Sequence, residues 1–304
     1  MKATIHIKKT LLLTVLLTVL FIVSLLSLLV FSSAKVSVKD KTMLPLNSSS
    51  LQSISETAWQ SLATKKIIFG HQSVGFNIIE GMEDLRQENC FIDLKIIANT
   101  KPWEVKTPGF VHFQIGENTQ PQTKINDFVR VVETTEQQGS IDLAFFKFCY
   151  VDIGPDMNIS EVFEQYHQAM QRLIQAFPKT TFIHVTVPLE SEAGSIKRWA
   201  KQVKNFLERL AHQGKSHYSS NLYRHQFNQL IRQAYQENAP VFDLAQIEST
   251  FPDGHQQIFS VNGKQYWSLA PDYTDDGGHL NQLGRRVVAE KLLIFLARLS
   301  DRDP

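Results

Sequence analysis

Lys65-Lys66-Ile67-Ile68-Phe69-Gly70-His71-Gln72-Ser73-Val74-Gly75-Phe76 decides how this chain is read. Ile67 to Phe69 form a short apolar run, the pattern of a strand buried on both faces. Gly70 interrupts it, and from Val74 apolar residues recur at helical spacing through Ile78, Ile79, Met82 and Leu85. Ser73 therefore stands where a strand gives way to a helix. Its hydroxyl would project into the crevice at the strand's carboxyl end, beside free backbone N–H groups of the first helical turn, a setting that favours developing negative charge. A serine at such a junction also serves as a plain helix N-cap, so the turn alone leaves both roles open.

The far end of the chain adds weight to the first role. Asp275-Asp276-Gly277-Gly278-His279-Leu280-Asn281 precedes the final apolar stripe. Asp276 and His279 lie three apart on a turn with two glycines, so the carboxylate can hold the imidazole through Nδ1–H. Nε2 is then free to take a proton from a serine. The plainer reading makes Asp276 a turn cap and His279 an ordinary loop histidine.

Composition narrows the function classes. The chain has 304 residues, 43% hydrophobic and 20% charged, with a formal net charge of +1, which argues against a general nucleic-acid binder. Cys90 and Cys149 form no C-x-x-C spacing, which removes zinc-ribbon and redox-motif readings, and their pairing stays open. His71, His279, Asp275 and Asp276 are ligand types that suit zinc, but no His-x-x-x-His pair accompanies them. No metal or other cofactor is expected.

Residues 1–10 carry Lys2, Lys8 and Lys9 and no acid, and residues 11–31 run without a charge, long enough to cross a bilayer as a helix. The basic flank predicts a cytoplasmic N-terminus with the rest of the chain across the membrane. Ser32-Ser33-Ala34 is a small-residue cleavage site, so a single-pass anchor and a removed signal peptide, leaving a secreted or periplasmic protein, are both open. Residues 32–50, rich in Ser and Lys, read as a linker to a domain over residues 51–304.

Within that domain the periodicity predicts a helix over 54–63, the strand at 67–69, the helix from 74, and a second strand over 91–97. Residues 101–118 read as irregular because of Pro102, Pro108, Gly109 and Gly116, and a helix follows from about 122. Ile141 to Tyr150 (IDLAFFKFCY) reads as a central strand. Asn158-Ile159-Ser160-Glu161 resembles a capping box opening a helix to Phe177, with a fourth strand over 180–187. A helical insertion over about 190–238, a fifth strand at 240–244 and a last helix from 282 complete the pattern. Lys197, Arg198, Lys201, Lys204, Arg209 and Lys215 cluster in the insertion, a solvated face or a surface for anionic lipid or acidic polysaccharide. Strands alternating with helices predict an α/β fold, a parallel sheet covered on both faces, with its crevice at the strands' carboxyl ends.

A strand–Ser–helix turn near the start and Asp-x-x-His before the final helix resemble the SGNH (GDSL-type) hydrolase family, over roughly Lys65 to Leu299. The resemblance implies a three-layer sandwich with a central parallel five-stranded sheet in flavodoxin-like order. It makes Ser73 the nucleophile, His279 the base and Asp276, by its i to i+3 spacing, the orienting acid in place of Asp275. It implies oxyanion donors at the Ser73 N–H and at Gly116. The family's third donor, an Asn in a Gly-x-Asn-Asp block, is replaced here by Cys149-Tyr150-Val151-Asp152, which leaves Tyr150 or Asn118 to supply a proton. The family's Gly-Asp-Ser is replaced by Gly70-His71-Gln72-Ser73, making His71 and Gln72 candidates for substrate contact, with His71 alternatively a buttress of the turn. The implied activity is serine-dependent hydrolysis of small O-acyl groups, such as acetyl on envelope carbohydrate. An O-acyltransferase with the same residues, and a non-catalytic glycan-binding or assembly protein that keeps the fold, are the alternatives.

Overall fold

The computed structural model describes residues 49–192 and 219–301. The basic segment 1–10, the apolar run 11–31, most of the expected linker, and the first half of the helical insertion with its basic cluster lie outside the described residues. Among those described, no helix is long and apolar enough to cross a membrane.

The chain opens with α1 (Ser49–Gln52) and α2 (Glu56–Thr64), then β1 (Lys66–His71) and α3 (Val74–Glu88). Next come β2 (Ile96–Ala98), β3 (Gly109–Gln114), α4 (Pro121–Glu136) and β4 (Leu143–Phe146). These lead to α5 (Ile159–Ala176), β5 (Thr181–Val185), α6 (Ser220–Tyr235), β6 (Val241–Phe242) and α7 (Leu244–Ser249). A hairpin of β7 (Ile258–Val261) and β8 (Lys264–Trp267) precedes α8 (Gln282–Ser300). Asn158 caps α5 by accepting from the Glu161 N–H at 3.3 Å. What was expected as the end of a linker belongs to α1, and α2 begins two residues later than the periodicity implied.

The central sheet has six strands, all parallel, in the order β2-β3-β1-β4-β5-β6. The expectation of five is corrected by β3, in the stretch read as irregular. Pro108 and Gly109 hid it, yet a proline just before a strand costs no ladder bond, and Phe110 and Val111 are fully buried beside Ile67 and Ile68. The second strand is shorter than expected: its pairing with β3 begins only where the Phe110 N–H donates to the Lys95 carbonyl at 2.7 Å, and Phe91 to Leu94 lie outside the paired register. Without edge strand β2, the other five follow the flavodoxin-like order, in which the first strand lies between the second and third and a crevice opens at its carboxyl end.

Alternation along β1 builds the two flanking layers. Ile68 joins Val111, Ala144 and Phe146 in a core closed by α4, α5 and α6, including Phe128, Met170 and Phe227. Phe69 points the other way, its ring 5.7 Å from Phe110 and 4.7 Å from Phe145. On that side α3 and α8 pack on each other and α2 packs on α8.

The α3–α8 contact is close enough to need a glycine. A Cβ on Gly81 would stand 2.4 Å from the Arg285 carbonyl oxygen and 2.9 Å from the Ala289 Cβ. Around that contact Arg285 pairs with Glu80 and Asp84, and Arg286 with Glu88. Gly81→Ala is expected to destabilise the fold by about 1–3 kcal/mol through overpacking, opposite to the gain of roughly 1 kcal/mol that the change brings in an open helix. Urea unfolding checks this, and an unchanged or raised midpoint would show that the helices can separate freely.

Candidate active site

Ser73 sits between β1 and α3 at φ 49° and ψ −108°, a left-handed conformation that is strained for a residue with a Cβ. Its side chain makes no capping bond to the helix. The turn is held instead by the Gly75 N–H donating to the Gln72 carbonyl at 2.9 Å and the Phe76 N–H to the Ser73 carbonyl at 2.8 Å. Strained turns of this kind lift a side chain clear of the backbone. The Ser73 Oγ lies 2.5 Å from His279 Nε2.

His279 is held from behind. Its Nδ1 lies 2.7 Å from Asp276 Oδ2, while the His279 and Gly278 N–H groups donate to Asp276 Oδ1 at 2.8 and 2.9 Å. Burial alone would push the Asp276 carboxyl up, but those hydrogen bonds and the His279 ring bring it down to about 2. An ionised carboxylate only accepts, so Nδ1 carries the proton and Nε2 of the neutral ring is the acceptor facing the serine hydroxyl. Asp275 does other work: its Oδ1 accepts from Asn281 Nδ2 at 3.3 Å, and Asn281 Oδ1 caps α8. The His279 and Asp276 side chains are 44% and 50% exposed, so the pair is open to a bulky reactant.

The oxyanion candidates are sorted by what each already holds. The Gly116 N–H donates to Asp127 Oδ2 at 3.1 Å, which corrects its expected role as a free donor. Tyr150 packs its ring on His279, centroids 5.8 Å apart, and a Cβ on Gly278 would stand only 2.8 Å from its hydroxyl oxygen. Burial and the nearby Asp276 and Glu190 carboxylates raise its pKa, so it stays protonated. Asn118 is exposed, and its Oδ1 accepts from Lys124 Nζ at 2.8 Å. An ammonium only donates, so the amide must present its Nδ2 hydrogens on the opposite side.

Of the two expected substrate contacts, His71 is buried away from the crevice and Gln72 is half-buried with its amide nitrogen already engaged. His71 is fully buried, stacked on Phe69 and joined through Nε2 to His112 Nδ1 at 3.0 Å. A Cβ on Gly75 would stand 2.4 Å from that ring, so the glycine after Ser73 makes room for the histidine before it. Gln72 donates Nε2 to the Ile115 and Gly116 carbonyls at 3.1 and 2.9 Å, tying the nucleophile turn to the loop after β3. Both residues buttress the turn. Cys90 and Cys149 are free thiols, one exposed and one buried. Among the described residues, no three His, Cys, Asp or Glu side chains gather as a metal site.

Sequence reasoning missed the buried support. Lys124 and Asp152 form an ion pair at 2.5 Å with both side chains fully buried. Asp152 also accepts from the Cys149 and Thr119 N–H groups, joining the strand-four turn to the Asn118 loop. The available signal was a cation on the apolar stripe of α4, since Lys124 precedes Phe128 by one helical turn and is itself buried. Arg224, 3% exposed, donates to the Tyr150 carbonyl at 2.7 Å and pairs with Glu190 at 2.9 Å.

Fold and site together define a class: an α/β protein with a Ser–His–Asp constellation in the crevice of a parallel sheet. Neither a protein-family model nor a curated protein matches the chain. Solved structures do resemble it. One is a candidate platelet activating factor from Streptococcus pneumonia, 15% identical over 79% of this chain and 90% of that one, with a TM-score of 0.44. Another is the periplasmic domain of a lipopolysaccharide acetyltransferase from Salmonella ser. Paratyphi A, 12% identical over 83% and 96%, with a TM-score of 0.40. The chemistry is read from the site itself.

The buried histidines give the fold a pH dependence. Burial, with Lys147 and His112 nearby, brings His71 down to about 2, and burial brings His184 down to about 3. Between those values and the ordinary histidine pKa of about 6.5 the unfolded chain binds protons that the folded one does not. Stability is therefore expected to fall as pH drops below about 6.5, by up to roughly 1.4 kcal/mol per pH unit for each group. Urea unfolding at pH 7, 6 and 5 checks it. His71→Asn should flatten the slope, and an equal slope in both proteins would sink this account.

Proposed function

We propose that the protein is a serine hydrolase of the SGNH type, removing or transferring small O-acyl groups through an acyl-enzyme. One observation carries the reading: a strained serine whose Oγ lies 2.5 Å from an imidazole that a carboxylate holds at 2.7 Å. A non-catalytic protein that merely kept the fold would have no use for the strain at Ser73, which costs on the order of 1–3 kcal/mol.

In this mechanism Ser73 Oγ attacks the ester carbonyl carbon while its proton passes to His279 Nε2. The negative charge on the carbonyl oxygen is met by the Ser73 N–H and by the Asn118 Nδ2 hydrogens. Collapse breaks the bond to the alcohol oxygen, which takes the proton from Nε2. Water, or a sugar hydroxyl in a transferase, then gives its proton to Nε2 and bonds to the acyl carbon, and Oγ departs with that proton. Asp276, ionised at neutral pH, stabilises the imidazolium in both halves. No cofactor enters. The substrate class is an O-acetylated envelope carbohydrate, which suits the half-exposed His279 and Asp276 and the family resemblance. Residues 11–31 would tether the domain outside the cytoplasmic membrane, or be removed as a signal peptide.

A fluorophosphonate should label Ser73 in the wild-type protein and leave Ser73→Ala unlabelled. Turnover of p-nitrophenyl acetate should fall by about 10³-fold or more in Ser73→Ala and His279→Ala. Equal rates in all three proteins would remove the enzyme reading in favour of a binding protein. Asn118→Ala should lower kcat by about 10²–10³-fold with the fold intact, the loss expected for one oxyanion donor. A rate within twofold of wild type would exclude that role for Asn118.

A further inference from the structure

The backbone N–H groups of the loop that carries His279 are engaged one after another. Gly277 donates to Thr274 Oγ1 at 2.9 Å, and Gly278 and His279 donate to Asp276 Oδ1. Asn281 donates to the Tyr273 carbonyl at 2.9 Å. These four bonds stay within residues 273–281, while from outside the loop the Ser191 N–H donates to the Gly277 carbonyl at 2.9 Å and the Tyr150 ring packs on His279. The Leu280 N–H breaks the pattern. It crosses to α3 and donates to Asn77 Oδ1 at 3.2 Å. A backbone N–H can only donate, so this contact also settles which end of the Asn77 amide faces the loop.

Asn77 stands in the first turn of α3, four residues after Ser73 in the turn that leads into the helix. The nucleophile turn and the first turn of α3 thus hold two consecutive residues of the loop, His279 through Ser73 and Leu280 through Asn77. The two grips differ in kind. The Ser73–His279 bond is lost whenever Oγ carries an acyl group, because the hydroxyl proton has gone. The Asn77–Leu280 bond involves no reacting atom and persists through the cycle.

Resting on the hydrolase reading, we propose that Asn77 is the positioning residue that keeps His279 over the acylated Ser73, so that Nε2 can activate the second nucleophile. Acylation starts from a serine that itself holds the imidazole. Deacylation has no such help, and misplacement of the base by about 1 Å costs on the order of 10²-fold. Losing Asn77 therefore slows the second half-reaction more than the first.

Stopped-flow hydrolysis of p-nitrophenyl acetate tests this in the full-length protein. In Asn77→Ala the steady-state kcat should fall by about 10–100-fold, while the acylation burst slows by less than about threefold. A near-stoichiometric burst of p-nitrophenol then appears, and KM falls with kcat as acyl-enzyme accumulates. Asn77→Asp, which keeps an acceptor of the same length, should restore kcat to within a few fold. Thermal unfolding of both variants separates positioning from loss of fold. The proposal is overturned if both phases slow by the same factor, if neither changes, or if Asn77→Asp folds but is as slow as Asn77→Ala. Absence of any Ser73-dependent turnover in the wild type would instead overturn the hydrolase reading, so the two failures are distinguishable.

Discussion

The close approach of α3 and α8 is the constraint on which the site depends. Ser73 lies in the turn between β1 and α3, and His279 belongs to the loop that leads into α8, 206 residues away. Two such distant segments meet within hydrogen-bond reach only if the helices behind them dock in one register. Gly81 supplies that register by letting the Arg285 carbonyl approach where a Cβ would stand. Salt bridges from Arg285 and Arg286 to acids on α3 surround the contact. Pairs this exposed contribute little stability each, so they select the register more than they strengthen it.

Beneath the crevice the interior is unusually polar. Lys124, Lys147, Asp152, Arg224 and Glu248 are all nearly or fully buried. Burial lowers the Lys147 pKa, and burial raises the Glu248 carboxyl to about 8 even though it accepts a hydrogen bond from the Leu189 N–H. Such groups are poor sources of net stability, because desolvation offsets most of their attraction. Their partners say what they hold in place: the Cys149 and Thr119 N–H groups, the Tyr150 carbonyl and the Asn118 amide. Each lies in a loop at the carboxyl ends of the strands. The polar interior thus positions loops that short strands could not position alone.

Those loops also show why some sequence expectations failed. Gly116 occupies an expected oxyanion position, yet its N–H is taken by Asp127, a residue eleven positions on in α4. His71 and Gln72 adjoin the nucleophile in sequence, but the alternation of β1 turns the His71 ring under α3, and Gln72 is drawn to the carbonyls after β3. Adjacency along a chain says nothing about facing when successive strand residues point to opposite sides. The third strand from the amino terminus escaped detection for a related reason. Proline and glycine around it read as punctuation, while its burial depends on pairing with β1.

What the amino-acid pattern determined alone was local in origin. Apolar runs of four to six residues, the period of α5 and α8, the Asn158 cap and the Asp-x-x-His spacing follow from backbone geometry over one or two turns. These features sufficed for the layered α/β class and, joined to a family resemblance, for naming Ser73, Asp276 and His279 together. Tertiary structure alone decided which donors remain free, which polar residues are buried, and that Asn77 reaches the residue after the base. The physical reason is that a hydrogen-bond partner is chosen by proximity in space, and the partners at this site lie up to two hundred residues apart.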